Sequence, residues 1–164
     1  VPVGSVVATT EVADAFVGEG NVFHAALTAG GHPVAAAAAL ANIDIIEGEG
    51  LVARSAEFGA YFLDLARDMA ASHPVIGDVR GLGLLVGVEL VTDRETKAGF
   101  PESFNVVDRM TEKFRQRGLL LRMLGPQILQ MAPPLCVTRD EIDQIVAGVD
   151  SALSELETEL DSGA

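Results

Sequence analysis

Few side chains in this sequence could do chemistry by themselves, and their spacing decides which combinations are possible. His24, His32, His73 and the single Cys136 lie too far apart for a zinc site, whose ligands usually come in close pairs. Structural or loop roles are expected for them, and no metal is expected. No serine stands in a strand–turn–helix elbow, so spacing assembles no nucleophile with its base. Gly81, Gly83 and Gly87 suggest a dinucleotide loop, but G-x-G-x-x-G needs glycine where Val86 stands and a helix where the pattern reads strand. Arg109, Lys113 and Arg117 follow one another at i, i+4 with Arg115 beside them, which reads as a solvated basic face with cations near a helix C-terminus. From Asp140 onward come eight acids and no Lys or Arg, which reads as the solvated acidic face of a last helix.

The elements that must hold these residues follow from periodicity. Val3 to Ala8 is β-branched and suits a strand end, and Thr9 to Phe16 suits a short helix closed by the glycines at 18 and 20. Ala29 to His32 reads as a loop of close backbone approach, with Pro33 at the first position of a helix. Five consecutive alanines make the helix from Val34 to Ile46 slim. Leu51, Phe58, Phe62, Leu65 and Met69 recur at helical spacing, and His73-Pro74 stops that helix.

Leu82, Leu84, Val86, Val88 and Leu90 alternate with Gly83, Leu85, Gly87 and Glu89, which predicts one strand with something packed over Gly83 and Gly87. Val107, Met110 and Phe114 mark a helix ending at Gly118. Leu119 to Leu121 and Ile128 to Met131 suit a hairpin-like pair across Gly125-Pro126. Thr138-Arg139-Asp140-Glu141 is a capping box, and Ile142, Ile145, Val149, Leu153, Leu156 and Leu160 form the buried stripe behind it. The order of elements predicts an α+β fold with helices covering one face of a small sheet.

Composition bounds the function classes. The 164 residues, 49% apolar and 21% charged, suffice for a domain that buries on the order of 70% of its unfolded surface. A net charge of -13 argues against nucleic acid and anionic membranes as partners, since both require positive potential. No run approaches the ~20 apolar residues of a membrane span, and one cysteine forms no internal disulfide. A soluble, cytoplasmic protein is expected. The chain opens on Val1 and reads as a piece of something longer.

Four segments carry a resemblance that composition does not. They are Pro2 to Val7, Thr28 to Ala35 (through Gly31-His32-Pro33), Asp78-Val79-Arg80-Gly81 continuing to Glu89-Leu90, and Met131-Ala132-Pro133-Pro134-Leu135. In this order they resemble the C-terminal part of class III aminotransferases, the ornithine/ω-amino-acid branch of the fold type I enzymes that depend on pyridoxal 5'-phosphate. The resemblance implies the end of the large cofactor-binding domain at 1–33, interdomain helices at 34–73, and a C-terminal small domain at 74–164, with a small antiparallel sheet and helices on one face. It implies pyridoxal phosphate as cofactor, a homodimer whose phosphate loop crosses the interface, and small-molecule amine and keto-acid substrates.

The family's cofactor lysine lies in a K-G-x-x-x-G-Y stretch that would fall upstream of Val1, so the resemblance places no catalytic residue in this chain and implies no transamination by the chain alone. Neither Lys97 nor Lys113 matches that stretch. Thr28 matches the threonine that binds the cofactor phosphate, and Arg122 resembles the mobile arginine that holds the keto-acid carboxylate in ω-amino-acid:pyruvate transaminases. Gln130 stands where other branches carry an arginine, Ala29 where an aromatic is usual, and Ala25 where glycine commonly follows the position of His24. The implied reaction moves an amino group from an amine or ω-amino acid to a keto acid such as pyruvate. The alternatives are a glutamate-1-semialdehyde-type aminomutase and a lysine-free interaction or structural module.

Overall fold

The computed structural model describes residues 3–18, 20–21, 23 and 27–162; Val1, Pro2, His24 and Ala25, used in the sequence reading, lie outside them. The chain forms two compact units, Val1–Glu49 and Gly50–Ala164. The division falls inside the segment 34–73.

In the first unit, helix α1 (Thr10–Asp14) begins where the Thr9 hydroxyl accepts from the Val12 N–H. Helix α2 (Pro33–Gly48) starts with proline at its first turn, where no N–H is needed. Residues 3–9 are not a strand: a β-branched run has the propensity, but no described segment offers them a ladder. Neither helix buries a residue, and α2 leaves Leu40, Ile43 and Ile45 exposed beside its alanines.

The second unit holds helix α3 (Leu51–Ser72), strands β1 (Ile76–Leu82) and β2 (Leu85–Leu90), helix α4 (Val106–Gln116), strands β3 (Arg122–Leu124) and β4 (Ile128–Met131), and helix α5 (Arg139–Ser162). Its sheet has the order β1-β2-β4-β3 with every pair antiparallel. Two sequence expectations are corrected. The stretch from Leu82 to Leu90 is the end of one strand, a turn and a second strand, with Leu82 opposite Leu85 and Gly83 at φ +54° in the turn. Because apolar alternation resumes on the far side of the turn, periodicity alone hides the reversal, and Leu82 is 90% exposed rather than on the buried face. The partner of β4 is residues 122–124, not 119–121. Gly118 takes φ +72° and the Leu119 N–H bonds back to Phe114 O, so 119 still belongs to the helix end.

Val86, Val88, Leu90, Leu129 and Met131 point to one side of the sheet and pack against Phe62 and Met69 of α3, Met110 and Phe114 of α4, and Ile142, Leu153 and Leu156 of α5. This is the expected α+β layer, with helices over one face. The capping box opens α5: the Glu141 carboxylate accepts from the Thr138 N–H at 2.8 Å while the Thr138 hydroxyl accepts from the Glu141 N–H at 3.2 Å. Close packing over the glycines is realised at Gly83, which lies against Gly59 of α3, whereas Gly87 faces open space with only Arg80 O and an Ile128 methyl at 3.8 Å.

The basic and acidic faces are not simply solvated. Arg109, Lys113 and Arg117 of α4 interleave with Glu159 and Glu155 of α5: Arg109 meets Glu159 at 3.0 Å, Lys113 meets Glu155 at 2.8 Å and also Glu159, and Arg117 meets Glu155 at 2.9 Å. Lys113 is only 5% exposed, and although burial disfavours its charge, the hydrogen bonds it donates to Glu155 and Glu159 outweigh this and hold its pKa above the ordinary lysine value. Each helix alone displays an unpaired charged stripe, and only their packing makes the stripes complementary. Lys113→Met keeps the stem packing and leaves each glutamate an arginine. It is expected to change stability by no more than about 1 kcal/mol in denaturant unfolding, because the lost ion pair is offset by the removed desolvation cost.

Candidate functional site

Thr28 sits in a double turn. The Gly30 N–H bonds to Leu27 O at 2.9 Å, the His32 N–H bonds to Ala29 O at 3.3 Å, and Gly31 takes φ +70° so that the chain can swing into α2. Among the described residues the N–H groups of Thr28, Ala29 and Gly31 have no hydrogen-bond partner, and the first turn of α2 adds its own free N–H groups because His32 makes no side-chain cap. The Thr28 hydroxyl is exposed beside them. A cavity of about 650 Å³ opens between residues 3–5, this turn and the alanine face of α2. Residues 1–49 contain no Lys or Arg, so this cradle is made of N–H dipoles, a hydroxyl and the positive end of a helix dipole. Those groups fit a phosphate dianion, which asks for several convergent donors.

Arg122 lies in the second unit, on the face of the sheet turned away from the helices. Strand register places it opposite Gln130, Gln130 opposite Gly87, and Gly87 opposite Arg80, giving one row across all four strands. The next row runs Asp78, Glu89, Ile128 and Leu124. Arg80 is tied down: its Nη1 donates to Asp78 at 2.6 Å and Glu89 at 3.1 Å, and the guanidinium holds the Asp78 carboxyl below the usual carboxylate range. Arg122 is exposed and its side chain makes no hydrogen bond or ion pair among the described residues, so its fork is available for an external carboxylate. Thr28 and Arg122 belong to different units.

In the sequence Gln130 stands out only as a departure from the arginine of other branches, and its row with Arg80 and Gly87 is not legible there. Strand alternation is the signal for such a row, but it yields a row only once the register is known. The two lysines have other engagements: Lys97 donates to Gly77 O at 2.8 Å, and Lys113 is buried between glutamates. Of the histidines, His73 is buried between two carboxylates of α5. Among the described residues no cluster of His, Cys, Asp and Glu could hold a metal ion, and no helix is long and apolar enough to cross a membrane.

Comparison with known proteins gives the family. The family model "Aminotransferase class-III" matches residues 1–153. The diaminobutyrate–2-oxoglutarate transaminase of Halomonas elongata is 39% identical over 148 residues, covering 89% of this chain and 31% of that protein. The taurine–pyruvate aminotransferase of Bilophila wadsworthia is 37% identical over 166 residues, covering 95% and 36%. Among solved structures, an amine transaminase from an uncultivated Pseudomonas species, crystallised with pyridoxal phosphate bound, superposes with a TM-score of 0.80 at 33% identity, covering 89% of this chain and 33% of that one. The chain thus spans about a third of the length of these relatives. The match of the family model along nearly the whole chain, over a sheet and helices that superpose on a solved transaminase, means that this chain belongs to the class III aminotransferases, a pyridoxal-phosphate-dependent family.

Proposed function

We propose that this chain is part of a transaminase that moves an amino group from an amine or ω-amino acid to a keto acid such as pyruvate, acting as a homodimer in the cytoplasm. The observation that carries the reading is the free Arg122 on the open sheet face of a chain in this family. When bound, pyridoxal phosphate supplies the electrophilic carbonyl and the electron sink for amino-group transfer.

The chain's own residues bind and orient. The Thr28 hydroxyl and the N–H groups of its turn hold the phosphate, with the α2 dipole adding attraction at no cost in side-chain ordering. Arg122 grips the keto-acid carboxylate by two parallel N–H donors and so fixes the orientation of the carbonyl beyond it. No lysine lies in either site, so the proton-moving base of the reaction is assigned to none of this chain's residues.

In the protein as encoded, Arg122→Ala is expected to raise KM for pyruvate by about 10- to 100-fold, the size of a lost charge-assisted pair, while KM for the amine donor changes little. Thr28→Val is expected to weaken cofactor retention by roughly tenfold, followed by the cofactor's absorbance on dilution. If an amine product forms without consumption of external keto acid, the reaction is an aminomutase and the reading fails.

A further inference from the structure

A net charge of -13 leaves carboxylates in excess, and the structure shows where the few cations are engaged. Arg54, Arg94 and Lys97 donate to backbone oxygens and form no ion pair among the described residues. Arg109, Lys113 and Arg117 are taken up by Glu155 and Glu159 between α4 and α5. Lys97 and Lys113 are the sequence's only lysines, so no lysine stands free on the surface. Residues 1–49 hold acids and no Lys or Arg at all. The helix ends are an independent sign. A carboxylate near the C-terminal end of a helix faces the negative pole of the dipole, which is unfavourable unless the field is screened. Asp44 and Glu47 lie there in α2, Asp68 in α3 and Asp161 in α5, and none of these helices has a base in its last turn. Asp44, Asp68 and Asp161 are exposed and make no ion pair among the described residues.

We infer that this protein is built to work at molar ionic strength, with dissolved monovalent salt taking the place of the missing surface cations. The inference goes beyond the transaminase reading and stands whether or not that reading holds. In 0.1 M salt the field of an exposed charge reaches about 10 Å, so each free carboxylate repels its neighbours and the helix end beneath it, and in 1 M salt the reach falls to about 3 Å. The repulsion is then removed. The contacts of the buried Lys113 and His73 with the glutamates of α5 lie largely out of solvent and are screened far less. Added salt therefore strips away unfavourable interactions and leaves the favourable ones, so the fold tightens. A protein balanced for dilute buffer behaves in the opposite way, because its exposed ion pairs weaken as salt is added.

The test follows the thermal unfolding midpoint of the protein as encoded, near neutral pH, from about 0.05 M to about 2 M KCl. The midpoint is expected to rise by about 10 °C, most of it below about 1 M, where the screening length is still shrinking. Asp44→Lys, Asp68→Lys and Asp161→Lys combined place three cations near helix C-terminal ends. This variant is expected to raise the midpoint in about 0.05 M salt by roughly 5 °C and to flatten the salt dependence. A wild-type midpoint that stays flat or falls with salt overturns the inference. A rise that begins only above about 1 M and grows in proportion to salt also overturns it, since that reports exclusion of salt from the surface rather than screening. A folded triple variant whose salt profile parallels that of the wild type does the same. If the variant does not fold, the shape of the wild-type profile decides the matter.

Discussion

Gly59→Ala is expected to destabilise the second unit by about 3 kcal/mol or more, lowering its midpoint of thermal unfolding by roughly 10 °C. Helix propensity alone predicts the opposite sign, since a glycine inside a helix costs about 1 kcal/mol relative to alanine. Gly59 lies within the 22-residue helix α3, so an isolated α3 gains from the change. In the folded unit, however, a Cβ at Gly59 would overlap the Cα, the carbonyl carbon and the oxygen of Gly83. Those are backbone atoms of the β1–β2 turn, which cannot rotate away as a side chain would. Either α3 lifts off the sheet, exposing Phe62 and Ala66, or the hairpin breaks its register.

Two controls separate this contact from generic glycine effects. Gly48→Ala, at the end of α2 with nothing within 4 Å of a new Cβ, is expected to be neutral or stabilising. Gly83→Ala meets mainly the Ser55 hydroxyl at 2.9 Å, a group that can turn aside, and pays chiefly for its φ of +54°, about 1–2 kcal/mol. The order Gly59 worse than Gly83 worse than Gly48 is read from denaturant midpoints. A Gly59→Ala protein as stable as the wild type would show that α3 does not seat on the turn.

The second large effect is expected at His73. Its ring is almost wholly buried, with Nδ1 at 2.8 Å from Glu157 and Nε2 at 2.9 Å from Asp150. Ionised carboxylates only accept, so both ring nitrogens carry hydrogen and the side chain is an imidazolium. Burial works against that charge, but the hydrogen bonds to Glu157 and Asp150 outweigh it and hold the pKa above the ordinary histidine value. The other charged group at this corner is Arg94, whose guanidinium donates to the backbone oxygens of Ala70, His73 and Ile76 and so closes the C-terminal end of α3.

A group whose folded pKa is raised stabilises the fold fully below its unfolded pKa, about 6.5, and loses that contribution as pH rises through the folded value. Stability of the second unit should therefore fall above about pH 6.5 by this route. His73→Ala is expected to cost about 3 kcal/mol at pH 6, since it leaves a cavity and strips two carboxylates of their shared donor, and clearly less at pH 9. Parallel stability profiles for wild type and variant from pH 6 to 9 would contradict an imidazolium at this position.

Glycine and histidine illustrate the same limit on sequence reading. His73 is legible as the residue before a helix-stopping proline, whereas Gly59 carries no signal of its own inside the helix from Leu51 to Met69. Their importance comes from what α3 meets at 83, 150 and 157, far away along the chain. The basic stripe of α4 and the acids of α5 repeat the lesson: each read as a solvated face because a helix considered alone has no partner, and Lys113 becomes a buried cation only when α4 and α5 pack.

What the sequence determined by itself was whatever is encoded over short distances. The capping box of α5, the proline start of α2, the apolar stripes of α3, α4 and α5 and the inward alternation of β2 all follow from neighbours within a turn or two. The four ordered segments likewise carried the family, and with it the cofactor. Tertiary structure alone decided that the glycine at 83 turns the chain back on itself, that 122–124 rather than 119–121 pairs with β4, and that Arg122 stands beside Gln130 while Arg80 is tied to two acids. The physical reason is register. Period-two alternation says which side of a strand a residue occupies, but a reversal at a glycine leaves that alternation unbroken, and only hydrogen bonds between distant strands choose which residues share a row.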